Sequence, residues 1–402
     1  MSTAIESLTN ARDHELVAFR RRLHADPELS YAEHATTQAI AERLQVAGLH
    51  PRILEIGTGL VCDVPGNAPG PLVVLRADID ALAMPDGTST VYRSRREGVA
   101  HACGHDAHTA IVLGAGLVIR ALTEIESVPG TIRLVFEPGE ESMPGGAVEV
   151  VREGWITGAS AVLGLHCDPK IDLGQIGLRA GALTSASDSV EIVISGPGGH
   201  TARPQLTVDL IDVIGRFTTA FPERVRRRLG APEGPPGNGD EEVVVAFGSV
   251  HAGDAANVIP AHGVLRCSVR CADRRAWDRA ESVVREVVDE LLAGTGATHV
   301  IAYQRGTPPV INDADAVDVL HRAAREVVGD AGVIEAPRSM GADTFAWYGE
   351  HARSAYARLG THFGDRPRLD LHASTFDIDE RAISIGTRLL AEAALIALRD
   401  PA

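Results

Sequence analysis

One short segment limits the folds open to this chain more than any other. Residues 71–77 read Pro-Leu-Val-Val-Leu-Arg-Ala, with a continuous apolar run at 72–75 in place of the alternation of a half-exposed strand. A strand of this kind is buried on both faces, as in a parallel or mixed sheet that is covered by helices. The segment therefore predicts an α/β fold.

A change of pattern along the chain predicts a second domain. With 402 residues, the chain is too long for one ordinary single-core domain and comfortable for two. Beyond about Gly181, apolar and polar residues alternate within the strands, as at 188–195. The order strand, helix, two strands, helix, strand in this part is typical of an antiparallel sheet with two helices on one face.

These patterns set the predicted boundaries. The mixed-sheet α/β domain comprises residues 1–182 and 304–402, and an α+β domain of ferredoxin-like topology is inserted at 183–303. A loop rich in Pro and Gly is predicted at 230–240. The predicted helices are 10–24, 31–47, 108–121, 145–153, 208–229, 277–292, 314–328 and 381–398. The predicted strands are 59–64, 71–77, 131–136, 161–166, 188–195, 242–250, 263–271 and 299–303.

Composition excludes several classes of function. The formal net charge is −16 and aromatic residues make up 4%, which disfavours binding to nucleic acids or to anionic membranes. The N-terminal segment has no apolar core, so we expect no secretory signal. The longest uncharged apolar stretch, 109–119, is too short to cross a bilayer. Five scattered cysteines indicate reduced thiols and a cytoplasmic protein.

The densest signal for chemistry is His-Ala-Cys-Gly-His-Asp-Ala-His at residues 101–108. Three imidazoles and one thiol within eight residues concentrate the ligands that Zn²⁺ and similar metals prefer. Gly104 lets the backbone turn sharply, so that Cys103 and His105 can point to one place. The segment alone leaves a second interpretation open, in which Asp106 caps a helix and the histidines face solvent.

Acidic residues follow a second buried strand. Residues 136–141 read Phe-Glu-Pro-Gly-Glu-Glu, and in open α/β sheets catalytic groups gather at the carboxyl ends of strands. Neighbouring carboxylates repel each other unless a cation or a shared proton offsets the cost. Glu140 and Glu141 suit a division of labour in which one binds a metal and the other takes protons. A solvated acidic turn is the alternative.

Other polar groups stand at the ends of predicted elements. His166 closes an apolar strand, Asp78 and Asp80 end the strand at 71–77, and His372 precedes the last helix. A lone histidine at a strand end is usually a satisfied core residue, so each of these positions is weak evidence by itself.

Together these segments resemble one enzyme family. They are Arg-x-Asp-x-Asp-Ala-Leu (76–82), His-Ala-Cys-Gly-His-Asp-x-His (101–108), Phe-x-Pro-x-Glu-Glu (136–141), Leu-His (165–166), Gly-Gly-His (198–200), Asn-Val-Ile-Pro (257–260) and Leu-His (371–372). From its first helix to its last, the chain resembles the aminoacylase/carboxypeptidase-type metalloamidohydrolases. Within them it is similar to the branch of hippurate hydrolases, N-acyl-amino-acid amidohydrolases and auxin-conjugate hydrolases.

The resemblance implies a fold and a metal centre. It implies two divalent metal ions (Mn²⁺, Zn²⁺ or Co²⁺) in the cleft of an α/β domain, capped by a smaller α+β lid that also dimerises. The ligands implied by motif are Cys103, His105, Glu141, His166 and His372. Five protein ligands exceed the three of a typical mononuclear catalytic zinc site, which favours a binuclear centre. The acids implied to orient ligand imidazoles are Asp78 and Asp106.

The resemblance also implies catalytic and binding roles. Glu140 is implied as the general base, and His200 of the lid, acting across subunits, as the donor to the oxyanion. Asn257 and Arg270 are implied to hold the substrate carboxylate, a role that suits the bidentate fork of arginine.

Three functions follow as hypotheses. The first is metal-dependent hydrolysis of the amide bond of small-molecule N-acyl amino acids, by a homodimer or dimer-based oligomer that binds neither nucleic acid nor membrane. The second is a metallo-exopeptidase that cleaves dipeptides on the same scaffold. The third is a catalytically silent metal-binding protein, against which the intact Glu140–Glu141 pair argues.

The sequence departs from the family pattern at three places near these motifs. Residues 83–85 read Ala-Met-Pro where relatives have Pro directly after Ala-Leu. Glu137 stands where relatives commonly have Gln, which adds a third acid that is able to disturb the base or to compete for metal. Residues 341–345 read Gly-Ala-Asp-Thr-Phe where relatives have Gly-(small)-Glu-Asp-Phe.

Overall fold

The computed structural model describes residues 2–231, 242–364 and 367–400, so most of the loop predicted at 230–240 lies outside the described residues. The helices of the described part are α1 (Ser2–Asn10), α2 (Asp13–Ala25), α3 (His34–Val46), α4 (His105–Leu122), α5 (Ala147–Arg152), α6 (Leu210–Arg228), α7 (Arg274–Leu292), α8 (Ala314–Val328), α9 (Ala346–Gly349) and α10 (Arg381–Arg399).

The strands of the described part follow in chain order. They are β1 (Arg52–Ile53), β2 (Leu60–Pro65), β3 (Ala68–Asp78), β4 (Pro129–Glu137), β5 (Ala159–Asp172), β6 (Ile176–Leu178), β7 (Gly181–Ala182), β8 (Ser187–Ser195), β9 (Gly199–His200), β10 (Val243–Ala252), β11 (Val258–Ile259), β12 (His262–Cys271), β13 (Thr298–Thr307), β14 (Ile311–Asn312), β15 (Val333–Glu335) and β16 (Ser354–His362).

These elements form two compact units, each with its own hydrophobic core. The large unit contains Met1–Gly181, Ile311–Pro337 and Thr344–Ala402. The small unit contains Ala182–Val310 and Arg338–Asp343.

The large unit is built on one mixed sheet. Its eight strands, all within the described residues, lie in the order β1-β2-β4-β3-β5-β16-β6-β15. Strand β3 runs parallel to its neighbours β4 and β5, and β5 runs parallel to β16, whereas β2 and β4 are antiparallel. The predicted mixed-sheet α/β fold is therefore confirmed.

The segment that predicted this fold lies in the interior of the sheet. In β3, residues 73–78 are all buried, and successive side chains of a strand point to opposite faces, so both faces of β3 are covered. Helices α4 and α10 pack against each other and against β3. Because almost every residue of α4 is buried, this helix has no polar face of the kind that a surface helix shows.

The register of the central strands aligns the predicted polar residues. Asp78 at the end of β3 pairs with Glu137 at the end of β4. On the other side, Arg76 of β3 pairs with Gly164 of β5, so that His166, two residues further along, is level with Asp78. Asp78 and Glu137 thus lie at the carboxyl ends of their parallel strands, where open α/β sheets form their crevice. His166 does not end its strand as the sequence predicted, because β5 continues to Asp172.

The small unit contains a four-stranded antiparallel sheet in the order β10-β12-β8-β13. Helices α6 and α7 pack against each other and onto this sheet. The chain order β8-α6-β10-β12-α7-β13, together with the order of the strands, is a ferredoxin-like topology.

Two further observations concern sequence expectations. All five cysteines are free thiols, as the sequence predicted, and the structure shows that all five are buried. Within the ranges that the structure describes, no helix has both the length and the apolar character that crossing a membrane requires.

Candidate functional site

A sharp turn brings Cys103 and His105 to the same place. Gly104 between them has a φ of +93°, in the left-handed region, and α4 begins at His105. A Cβ atom at position 104 would lie 3.0 Å from the Cβ atom of Cys167, so the turn also has little room for a side chain. Glycine therefore meets both the conformational and the steric requirement of this turn.

The structure brings together all five residues implied as metal ligands. Their donor atoms form overlapping groups in which every atom lies within 4.8 Å of the others. The groups are Cys103, His105 and His166; Cys103, Glu141 and His372; His105, Glu140 and Glu141; and Asp78, His105 and His108. The sulfur of Cys103 lies 3.4 Å from Nε2 of His166. Two of the groups share Cys103 and three share His105, so the donor atoms form one continuous cluster.

Two buried atoms in this cluster have no hydrogen-bond partner among the described residues, namely His105 Nε2 and Glu141 Oε1. They lie 3.9 Å apart. His372 Nε2 lies 3.1 Å from Glu141 Oε1 without forming a hydrogen bond of normal geometry. Because a buried polar group without a partner is costly, the observation fits a cation that would satisfy both atoms.

The electrostatics of the cluster favour added positive charge. Burial alone would lower the pKa of His105, but its neighbours, above all the negative charge of Asp78, outweigh burial and raise that pKa well above its ordinary value. Burial raises the pKa of the Cys103 thiol well above its usual range, although His105 opposes the shift. A thiolate is thus unfavourable here unless a cation accompanies it.

Hydrogen bonds fix the orientation of two candidate ligands. Nδ1 of His166 lies 2.7 Å from the carbonyl oxygen of Cys167, which leaves Nε2 directed at Cys103. Nδ1 of His105 lies 3.0 Å from the carbonyl oxygen of Asp80. With Nδ1–H donating in each ring, Nε2 is the nitrogen left for a metal; in His105 a bound metal would replace the proton that the raised pKa favours there. Burial, with the nearby charges of His108 and Arg358, lowers the pKa of His166 well below its ordinary value, which favours this neutral form.

The third imidazole of the motif has a different environment. Nε2 of His108 accepts a hydrogen bond from the backbone N–H of Cys167 at 2.8 Å, and Nδ1 lies 2.6 Å from Asp78 Oδ1. Both ring nitrogens are therefore occupied by protein groups. His108 holds the strand that carries His166 and is not available as a ligand in this arrangement.

The two acids implied to orient ligand imidazoles, Asp78 and Asp106, have different partners in the structure. Asp78 contacts His108, and its Oδ2 lies 3.7 Å from Nε2 of His105. Asp106 does not occupy the expected position: its carboxylate lies 2.6 Å from Nε of Arg20 and 2.8 Å from Nδ1 of His24, two residues of α2. The expectation for Asp106 is corrected, because α2 supplies it with partners of its own.

Asp80 contacts two candidate ligands, an arrangement that the sequence did not indicate. Its Oδ1 lies 3.3 Å from Nδ1 of His105, and its Oδ2 accepts from the backbone N–H of Glu141 at 3.0 Å and from the hydroxyl of Ser30 at 2.7 Å. It thus links two candidate ligands that lie far apart in sequence. The signal in the sequence was an acid two residues beyond a buried strand, which does not by itself identify the partners of that acid.

Glu140 is held by one oxygen and presents the other. Its Oε1 accepts a hydrogen bond from the backbone N–H of Thr344 at 3.1 Å, and its Oε2 lies 3.9 Å from Nε2 of His105. The carboxylate thus borders the ligand cluster and is anchored from the opposite side.

The additional acid at position 137 is satisfied by the protein. The carboxylate of Glu137 is buried and accepts from Nε of Arg76 (2.7 Å), the hydroxyl of Tyr348 (2.8 Å), the hydroxyl of Thr344 (2.5 Å) and the backbone N–H of Ala147 (2.9 Å). With four donors around it, Glu137 has no need of a metal.

Backbone strain marks the same region. In the described part of the chain, the non-glycine residues with positive φ are Tyr31 and His372, each at 62°. The aromatic ring of Tyr31 packs against Gly139, next to Glu140, and His372 is an implied ligand. Strained residues of this kind often occur at functional sites, where the surrounding structure holds them in place.

The remaining implied residues belong to the small unit. His200 is exposed on β9, which pairs with β11 opposite Val258, and its Nδ1 accepts from the N–H of Ala202 at 3.0 Å. Asn257 is exposed beside β11. Arg270 on β12 is half-buried and donates from Nη1 to the carbonyl oxygen of Met340 at 2.8 Å.

Comparisons with known proteins identify the family. Residues 74–396 match the sequence pattern described as Peptidase family M20/M25/M40, and the chain belongs to this family. It is accordingly a hydrolytic enzyme that acts on amides.

Similar proteins include an N-acetyl-L-cysteine deacetylase of Bacillus subtilis (strain 168), 34% identical over 384 residues, with 94% of this chain and 87% of that protein covered. A Rhodococcus jostii (strain RHA1) protein with a provisional glutamate–cysteine ligase name is 41% identical over 392 residues; 98% of this chain aligns, but the chain spans about half (48%) of that protein. A crystal structure of a Bacillus subtilis dinuclear metal-binding peptidase of the M20 family superposes with a TM-score of 0.82 at 29% identity, with 97% of this chain and 99% of that chain covered.

Proposed function

We propose that this chain is a binuclear metal-dependent amidohydrolase that releases the acyl group from N-acyl amino acids. The observation that carries the proposal is the convergence of five donor side chains around His105 Nε2 and Glu141 Oε1, two buried atoms without hydrogen-bond partners among the described residues. The N-acetyl-L-cysteine deacetylase among the similar proteins supports an N-acyl amino acid as the substrate class.

The proposed ligands suit two divalent cations. One thiolate, three imidazoles and one carboxylate fit Zn²⁺, Mn²⁺ or Co²⁺ and exceed the needs of a single catalytic ion. They are Cys103, His105, Glu141, His166 and His372. When bound, such cations supply Lewis-acid polarisation of a carbonyl group and lower the pKa of water.

Glu140 is the proposed general base. Its Oε1 is held by the N–H of Thr344, so Oε2 is the oxygen that faces the cluster and takes a proton from the attacking water. The same Oε2 then gives the proton to the departing amine. Because this exchange needs a carboxylate beside the ligands rather than among them, the adjacent Glu141 fills the separate role of ligand.

The small unit is the proposed lid and dimerisation domain, corresponding to the insertion expected at 183–303. In this proposal His200 of the partner subunit donates to the oxyanion, and Asn257 and Arg270 hold the substrate carboxylate. The free Nε2 side of the exposed His200 ring and the guanidinium of Arg270, one nitrogen of which is held by Met340, are suited to these roles.

A substrate comparison tests this function. The metal-loaded protein is assayed side by side with a panel of N-acetyl and N-benzoyl amino acids and a panel of dipeptides. We expect kcat/KM to be higher for the acyl amino acids; preference for dipeptides would establish the exopeptidase instead. Failure to hydrolyse either panel with metal bound would favour the silent metal-binding protein.

A variant of the base tests the mechanism. Glu140→Gln is expected to lower kcat by about 10³-fold, within the range for loss of a general acid–base group, while bound metal per chain stays the same. Turnover close to that of the wild type would remove Glu140 from the role of base.

A further inference from the structure

A buried polar network lies directly beside Glu140 and is not part of the proposed metal centre. Its middle is Arg76, whose side chain is fully buried. Arg76 donates from Nε to Glu137 at 2.7 Å, from Nη1 to Asp78 at 2.6 Å and from Nη2 to the hydroxyl oxygen of Thr344 at 3.0 Å. One guanidinium thus joins the ends of β3 and β4 to a segment more than 200 residues away in sequence.

Thr344 connects this network to Glu140. Its hydroxyl donates to Glu137 Oε1 at 2.5 Å and accepts from Arg76, so both functions of the hydroxyl are used. Its backbone N–H donates to Oε1 of Glu140 at 3.1 Å. Because Thr344 is buried and β-branched, two hydrogen bonds on the side chain leave its backbone little freedom.

We propose that Thr344 is the positioning residue for Glu140, and that the Arg76–Glu137 pair acts through it. This inference rests on the proposed function, in which Glu140 is the base. Fixing Oε1 directs Oε2 toward the ligand cluster, and a proton acceptor that is displaced by about 1 Å loses roughly 100-fold in rate. The network thus determines how well the base is aimed.

The arrangement of charges in the network supports a positioning role. Arg76 forms ion pairs with both Glu137 and Asp78, and the neutral Thr344 separates these buried carboxylates from the carboxylate of Glu140. An acid at position 344 would stand against Glu137 and repel it. If Glu137 were at the same time changed to Gln, the cluster would again contain one carboxylate and one neutral group at these two positions.

Threonine variants test the inference. Thr344→Val removes the hydroxyl and keeps the shape, and we expect kcat to fall about 10- to 100-fold while KM changes less than about twofold and metal content is unchanged. Thr344→Ser restores the hydroxyl and is expected to recover most of kcat. The matched control is Thr387→Val, because Thr387 is also buried in the large unit and its hydroxyl has no hydrogen-bond partner among the described residues.

A charge exchange gives a second readout if Thr344→Val fails to fold. Thr344→Asp alone is expected to reduce kcat more than Thr344→Val does, and the double variant Glu137→Gln/Thr344→Asp is expected to recover at least about fivefold over Thr344→Asp. No recovery in the double variant, or a kcat for Thr344→Val equal to that of Thr387→Val, would overturn the inference. Loss of kcat that simply tracks loss of bound metal would also overturn it.

The variant Glu140→Gln distinguishes a failure of the inference about Thr344 from a failure of the proposed function, in which Glu140 is the base. The double variant Glu140→Gln/Thr344→Val is compared with Glu140→Gln alone. If Glu140→Gln has only a low residual rate and adding Thr344→Val does not lower that rate further, Thr344 acts through the base as proposed. If Glu140→Gln is inactive but Thr344→Val lowers its residual rate by the same factor as in the wild type, the inference is wrong and the base assignment stands. If Glu140→Gln remains active, the role of Glu140 as base, on which this inference rests, has failed.

Discussion

Glu137 and Glu141 lie four residues apart, and both are largely buried, but their surroundings are opposite. Glu137 receives four hydrogen bonds, one of them from the buried guanidinium of Arg76. Oε1 of Glu141 receives none from the described residues and faces imidazoles and a thiol. Because a buried carboxylate is stable only with compensation, one region contains its own cation and the other fits a cation from outside.

The comparison shows how structural carboxylates can be distinguished from candidate functional ones in a motif that contains several acids. In sequence, Glu137, Glu140 and Glu141 look alike. In the structure, the number of protein donors around each carboxylate distinguishes the satisfied group from the candidate ligand and from the candidate base. The predictions below set one region against the other.

The largest effect is expected from exchanging a carboxylate for an amide in each region. Glu141→Gln should remove most bound metal and lower kcat/KM by at least about 10³-fold, since a neutral amide is a weak ligand. Glu137→Gln should keep the metal, because none of the four groups that donate to Glu137 in the described part of the chain belongs to a candidate ligand. Metal analysis and steady-state kinetics on both variants measure the contrast. Equal metal content in the two variants would contradict the assignment of Glu141 as a metal ligand and of Glu137 as a carboxylate satisfied by the protein.

Removal of the Arg76 guanidinium should affect the stability of the fold more than it affects metal binding. Arg76→Met leaves Glu137 and Asp78 buried without their guanidinium, and we expect a loss of about 3 kcal/mol in the free energy of unfolding. Adding Glu137→Gln should restore part of this loss, because one of the unpaired charges is then removed. Urea unfolding of the metal-free proteins measures both values. An equal free energy of unfolding for Arg76→Met and the wild type would show that Arg76 does not stabilise the buried carboxylates of Glu137 and Asp78.

A third buried carboxyl, that of Glu33, is expected to have a smaller effect on stability, and this effect depends on pH. Glu33 accepts from the N–H of Gly139 at 2.7 Å, and its Oε2 has no hydrogen-bond partner among the described residues. Burial raises the pKa of Glu33 to about 7, against hydrogen bonds that lower it. The folded state therefore binds more protons than the unfolded state between about pH 4.5 and pH 7, and stability from this group is lost as pH rises through that window.

Glu33→Gln should accordingly stabilise the protein at high pH. The gain over the wild type should be of the order of 2 kcal/mol at pH 8 and close to zero below pH 4.5, where the carboxyl is protonated in both states. Thermal unfolding of the two proteins across this range measures the difference. A gain that does not change with pH would show that Glu33 has the same pKa in the folded and the unfolded protein.

Local patterns allowed much of the fold to be predicted. The buried run at 72–75 lies inside β3, and the helix predicted at 314–328 has the bounds of α8. Strand β16 (Ser354–His362) was not predicted, although it lies inside the sheet between β5 and β6. Its sequence, Ser-Ala-Tyr-Ala-Arg-Leu-Gly-Thr-His, contains small residues and a buried arginine in place of an apolar run, so only tertiary packing identifies it.

The candidate site was predictable where residue type and motif sufficed, and not where partners come from distant segments. The Cys103–His105 turn follows from the glycine between them. The partners of Asp106 and Glu137 do not follow from local sequence: Arg20 comes from α2, and Thr344 lies 207 residues beyond Glu137. The departures from the family pattern at positions 137 and 344 lie in contact, which explains them together as one buried polar network.

Metal stoichiometry tests the central claim most directly. The metal-free protein is reconstituted with Mn²⁺, Zn²⁺ or Co²⁺, freed of excess ion and analysed for bound metal, together with Cys103→Ala and the matched variant of another buried thiol, Cys62→Ala. We expect about two ions per chain in the wild type and in Cys62→Ala, and at most about one in Cys103→Ala. Wild-type protein that retains no ion, or Cys103→Ala that retains as many as the wild type, would contradict the account.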